Sequence, residues 1–295
     1  IYERLSKYGE ISMTYFDKQT RIFWKLAGNP EVRQKNSKHQ GKETLAYFLL
    51  LLIALPESLI YSEHTQTALL LYAVLLVALS SISIFVKEQE IRNICQVLLL
   101  FPILRLTNFS VPFFPESPLL FFVFVYSPIL IPLTIVVIRQ QFTYEQLGLN
   151  FKNVGYYLPI SILIGFVLGY GESLLIQTTS LIPDLSFINI LKLIVVMVLF
   201  VGIIEELIFR SILQTRLEEI FGTRSGLVLS SLVFGFMNSG YGTSYEILYA
   251  SFAGFIIGYL FYKTRSLPFI ALTHGFINVF SFGILPLMGY GFGFF

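Results

Sequence analysis

LKLIVVMVLFVGIIEELIFR, residues Leu191 to Arg210, decides the fold class. It is a long apolar run of the kind that crosses a bilayer as a helix, for which ~17 to 25 residues suffice. It ends in two adjacent carboxylates, Glu205 and Glu206. A carboxylate at bilayer depth is costly, so one found there belongs to a site or to a buried polar network. No other apolar run of the chain carries such a doublet, and later apolar segments add Asn238, His274 and Asn278. These polar groups are enough to line a chamber inside a helix bundle.

The rest of the chain agrees with that reading. Of 295 residues, 55% are hydrophobic and only 13% are charged, a poor match to a soluble domain. The 30 Phe and 17 Tyr add to the membrane signal. Continuous apolar runs exclude a membrane β-barrel, whose strands read as short alternating segments. The fold class is therefore all-α, a polytopic transmembrane helical bundle. Spanning segments are expected at about 44–62, 67–86, 93–109, 119–138, 155–177, 190–215, 226–238, 245–262 and 266–283, which gives eight or nine crossings. The open one is 93–109, which contains Pro102 and Arg105, the latter expected to snorkel from near a helix end. Kinks are expected at Pro128 and Pro132.

Three parts follow from this division: a basic leader over 1–43 with an amphipathic helix near Tyr15 to Trp24, N-terminal membrane helices over 44–138, and a core over 139–295. Nine of the 20 basic residues lie between Arg4 and Lys42. With nine crossings and a cytoplasmic N-terminus, Lys87/Arg92, Arg139/Lys152, Arg216/Arg224 and Lys263/Arg265 join that leader on one side, as the positive-inside bias requires. Acidic residues interspersed among the leader's basic ones, and the lack of any recognisable motif, argue against nucleic acid as a partner. Cys95 is the single cysteine, so an internal disulfide is impossible. His39 and His64 fall in the leader and a loop, and no His-Glu-x-x-His signature occurs, so neither a metal nor another cofactor is expected.

Helical spacing separates the candidate roles. Glu206 and Arg210 are four apart and can form an internal ion pair. Glu205 is rotated by ~100° from Glu206, which leaves it free to take a proton from water. A purely structural Glu-Glu-Arg network is the competing reading. His274 and Asn278, again four apart, share a face and can donate to developing oxygen charge. Taken alone, His274 is a packed polar residue. Phe234 and Asn238 share a face too, so Asn238 can point into the same chamber.

With Glu205-Glu206-x-x-x-Arg210, Phe234-x-x-x-Asn238 and His274-x-x-x-Asn278 in this order on apolar helices, the chain resembles the CAAX protease and bacteriocin-processing family, also called the Abi family of intramembrane proteases. The resemblance covers roughly Tyr144 to Phe282. It implies a bundle of the CAAX-protease type in which Glu205 activates water, Glu206 and Arg210 support it, and His274 and Asn278 hold the oxyanion of a hydrolysed peptide bond. It implies as partners a peptide or protein substrate, lipidated in some family members, together with membrane lipids and, for a non-catalytic member, a membrane protein. It also implies a prokaryotic plasma membrane. The second motif of that family ends in histidine, and here the position is Asn238. Three explanations stay open: an introduced inactivating replacement, a divergent active protease, or a pseudoprotease that keeps the chamber as a binding surface. Transport through the bundle is a further alternative.

Overall fold

In the computed structural model, residues 30–176 and 178–289 are described. The leader helix expected near Tyr15 to Trp24 lies outside them. Two compact units are present, Ile1–Ala46 and Tyr47–Phe295. Helix α1 (Pro30–Tyr61) begins in the first unit, and everything that follows concerns the second.

All regular structure among the described residues is helical. After α1 come α2 (Thr65–Phe85), α3 (Gln89–Ser110), α4 (Pro118–Arg139), the single turn α5 (Tyr144–Leu147), α6 (Val154–Leu175), α7 (Phe187–Phe221), α8 (Thr223–Phe236), α9 (Ser244–Thr264) and α10 (Leu267–Leu287). Seven of them, α2, α3, α4, α6, α7, α9 and α10, are long and apolar enough to cross a membrane. Segment 93–109 falls within α3, one of the seven. The other two expected spans do not reach that length: the apolar part of α1 is Leu50–Tyr61, and α8 has 14 residues. Apolar side chains such as Leu70, Val77, Ile131 and Leu163 face outward, as lipid contact requires. The protein is an integral membrane protein.

Prolines shape two of these helices. A proline removes one backbone donor and crowds the carbonyl four residues earlier. Accordingly α3 is interrupted at Leu99, four residues after Cys95 and just ahead of Pro102, and α4 is interrupted over Ser127–Ile129, around Pro128. Thr143 caps α5 through a reciprocal pair of bonds with Gln146, and Asp184 Oδ1 accepts from Ser186 N at 2.8 Å and Asn189 Nδ2 at 2.9 Å ahead of α7.

α10 forms the centre of the core, packed against α6 and the middle of α7. Small residues permit the close crossing of α7 and α10. A Cβ added at Gly202 would lie 2.6 Å from the Ala271 carbonyl oxygen, and one added at Gly275 would lie 2.5 Å from Val198 Cγ2. α8 packs antiparallel to α9, and these four helices surround the polar residues singled out from the sequence.

Candidate active site

The glutamate doublet sits on an irregular stretch of helix. Ile203–Glu206 is α-helical, but Val196–Gly202 before it and Leu207–Gln214 after it are π-helical. A third π-helical stretch, Phe280–Ile284, follows directly after the His274 and Asn278 turns of α10. Single π-turns are uncommon and recur at functional sites, because the wider turn re-aims side chains that a regular helix would present elsewhere.

Four of the six residues line one cavity of about 150 Å³: Glu205, Asn238, His274 and Asn278. Glu206 and Arg210 are not among its lining residues and are fully buried. His274 links the two glutamates. Its Nδ1 donates to Glu206 Oε1 at 2.7 Å, and its Nε2 lies 3.7 Å from Glu205 Oε2. The first bond fixes the ring orientation, in the way an acceptor behind an imidazole sets which nitrogen faces the site. The second distance is too long for a hydrogen bond, but it leaves both groups within reach of one water molecule placed beside them. Asn278, one turn further along α10, is buried against the same cavity.

Arg210 Nε stands 3.4 Å from Glu206 Oε2, and its guanidinium lies 4.7 Å from the centre of the Phe234 ring. None of its nitrogens has a hydrogen-bond partner among the described residues, so charge and the ring face hold it. Phe234 in turn meets His274 edge-on, with ring centres 5.6 Å apart. Asn238 lies just past the end of α8, in the turn that follows, rather than on the helix. Its Nδ2 donates to the Phe234 carbonyl oxygen at 2.9 Å. A carbonyl can only accept, so one N–H of the amide is used on the backbone, and Oδ1 and the second N–H remain.

Several contributors carry no motif and were not anticipated. The Tyr126 hydroxyl, on α4, donates to Glu205 Oε1. Arg105 does not snorkel to an interface. It turns inward, because Glu57 on α1 offers a bidentate partner: Nε to Oε1 and Nη2 to Oε2, both 2.7 Å. Tyr72 of α2 donates to the same carboxylate, and so does Ser239 Oγ at 2.5 Å. Arg105 Nη2 also donates to the Met237 carbonyl oxygen. Both neighbours of Asn238 are thus tied to one buried ion pair that joins α1, α2 and α3, and this clamp sets where Asn238 stands. No group of three His, Cys, Asp or Glu side chains among the described residues is arranged to hold a metal ion.

Comparison with known families points the same way. Residues 187–280 match a family model described as type II CAAX prenyl endopeptidase Rce1-like. Over this segment the chain is similar to the Rce1-like family. The matched segment contains Glu205, Glu206, Arg210, Asn238, His274 and Asn278, and a family of this kind acts on peptide or protein substrates. No curated protein and no solved structure matches the chain.

Proposed function

We propose that this Rce1-like protein is a glutamate-dependent intramembrane endopeptidase that hydrolyses a peptide bond near the end of a membrane-associated or lipidated peptide. The observation that carries the reading is the placement of Glu205 and His274 Nε2, 3.7 Å apart, on one buried cavity, with Glu206 fixing the imidazole from behind. Glu205 takes a proton from water while the hydroxide attacks the scissile carbonyl carbon. The tetrahedral oxygen is held by the Asn278 amide and by His274 when Nε2 carries a proton. The C–N bond then breaks as the leaving nitrogen takes the proton from Glu205. Asn238 contributes by accepting a hydrogen bond from the attacking water through Oδ1; it is not a base. Tyr126 holds the other oxygen of Glu205. In this reading 139–295 is the catalytic core and the N-terminal helices its support. A cytoplasmic N-terminus follows from the Lys and Arg distribution if α1 and α8 cross as well, and a prokaryotic plasma membrane from the family resemblance alone.

The test uses purified protein and a panel of prenylated and unmodified hydrophobic peptides, with products read by mass. Cleavage that vanishes in Glu205→Gln supports the reading. Cleavage that survives the substitution overturns the assignment of the base.

A second reading is favoured by the identity of Asn238: an amide, unlike an imidazole, neither takes up nor releases a proton near neutral pH. In that case the protein is a pseudoprotease that binds a peptide or a membrane protein. Glu205→Gln then leaves binding and cellular function intact.

A further inference from the structure

One nitrogen of Arg105 is left over from the clamp behind Asn238. A guanidinium carries five N–H donors. Nε gives its one to Glu57 Oε1, and Nη2 gives its two to Glu57 Oε2 and the Met237 carbonyl oxygen. Both N–H groups of Nη1 stay without a partner among the described residues. They are not sealed in protein, as the unpaired nitrogens of Arg210 are. The Arg105 side chain is 11% exposed and lines the cavity.

Glu57 does not need that nitrogen. Its two oxygens offer about four lone-pair sites, and four donors already occupy them. Oε1 accepts from Arg105 Nε and the Tyr72 hydroxyl, and Oε2 from Arg105 Nη2 and Ser239 Oγ. The clamp therefore fixes the guanidinium while leaving Nη1 available at the cavity wall. Two more polar groups stand unpaired there. Asn108 lies three positions after Arg105 on α3, on the same helical face. Tyr241 ends the short turn whose first residue, Ser239, is tied to Glu57. Both line the cavity, and neither the Asn108 amide nor the Tyr241 hydroxyl has a hydrogen-bond partner among the described residues.

Three donors without an acceptor, one of them on a fixed cation, suit a carboxylate, which is planar and only accepts. The surroundings select the same place. Arg105 is the one Lys or Arg among the described lining residues, whereas Glu172 and Glu205 line the cavity as acids and repel an anion. We infer that Arg105, Asn108 and Tyr241 form a subsite for the terminal α-carboxylate of the peptide held in the cavity. This rests on the reading of the cavity as a peptidase site. The cavity holds only about 150 Å³, so the stretch between the anchored terminus and Glu205 is short. Arg105 thereby sets specificity for tails that end inside the cavity.

The test needs no turnover. The apparent Tm of the detergent-purified full chain is followed against N-acetyl-trileucine and against its C-terminal carboxamide, which lacks the charge. The acid raises Tm in a saturable way, at a concentration about tenfold or more below that of the carboxamide. Asn108→Leu and Tyr241→Phe each weaken the acid and leave the carboxamide unchanged. Glu57→Leu with Arg105→Met removes the guanidinium without stranding a charge, and the preference for the acid disappears. The comparison of the two probes on the unsubstituted chain stands even where a variant unfolds. Equal responses to both probes, no response to either, or a preference that survives the double substitution overturns the subsite. An equal response to N-acetyl-Leu-Leu-Asp carboxamide overturns the assignment to a chain terminus. The peptidase reading fails separately. A preference for the acid in a protein that cleaves no peptide refutes catalysis and keeps the subsite; equal cleavage of acid and carboxamide tails, with no difference between the probes, does the reverse.

Discussion

Arg105→Ala isolates the clamp behind Asn238. The substitution removes two 2.7 Å bonds to Glu57 and the donor to the Met237 carbonyl, while leaving the fully buried Glu57 carboxylate in place. Removing one member of a buried pair costs about 3–5 kcal/mol, because the charge left behind is uncompensated. Tyr72 and Ser239 still donate to Glu57, which places the expected loss at the lower end, about 3 kcal/mol. For a chain of this size that is a fall in apparent Tm of about 6–12 °C. Removing both charges, as Glu57→Leu with Arg105→Met, restores most of it, since an apolar pair in place of a buried ion pair is often neutral. Thermal unfolding in detergent at one fixed scan rate, run as a double-mutant cycle, gives both numbers. A single-mutant loss below about 1 kcal/mol, or a double variant whose losses simply add, refutes the argument. It would mean that the pair is hydrated and does not fix the turn at Met237–Ser239.

Three further outcomes are expected. Asn238→His supplies the proton-handling group that the amide lacks and raises peptide cleavage by ~10²- to 10⁴-fold; unchanged turnover would show that water is positioned elsewhere. Tyr126→Phe removes the hydroxyl that holds Glu205 and lowers kcat about tenfold with little change in KM; a pure KM effect would make Tyr126 a binding residue instead. Gly202→Val drives a side chain into the Ala271 carbonyl, 2.6 Å from the new Cβ, and costs about 1–3 kcal/mol or more, read as a lower Tm.

The glutamate doublet, the last histidine and the membrane class were legible because each rests on local pattern: an apolar run, its interruption, and spacings of four. What escaped was everything set by contacts distant in sequence. Glu57 meets Arg105 across 48 positions and Ser239 across 182, and a single acid in an apolar helix gives no sign of which partner will face it. Arg105 read as a snorkelling residue for that reason. Tyr126 read as one more aromatic in PLLFFVFVY, although it alone of that run reaches Glu205. Regular 3.6-residue spacing also gave no warning of the π-helical turns on both sides of the doublet, the first of which packs against α10. The end of α8 was misplaced by two residues, 238 against Phe236, for the opposite reason. Asn238 continues an apolar pattern, but the clamp on its neighbours pulls it out of the helix.

The unusual reach of α7 has a consequence for what can be cut. Its last two turns carry Arg216, Glu218 and Glu219, tied to Gln140 and Arg265 in a girdle of polar contacts at one end of the bundle. Glu205 lies eleven positions before Arg216 on the same helix, at most ~16 Å at ~1.5 Å per residue, since the wider π-helical turns over Leu207–Gln214 rise less. An extended chain covers ~3.3 Å per residue, so on the proposed peptidase reading a tail entering from the girdle side threads up to about five residues before a bond meets the carboxylate. Shorter stubs fall short from that side, which makes the depth of the doublet a ruler for the tail.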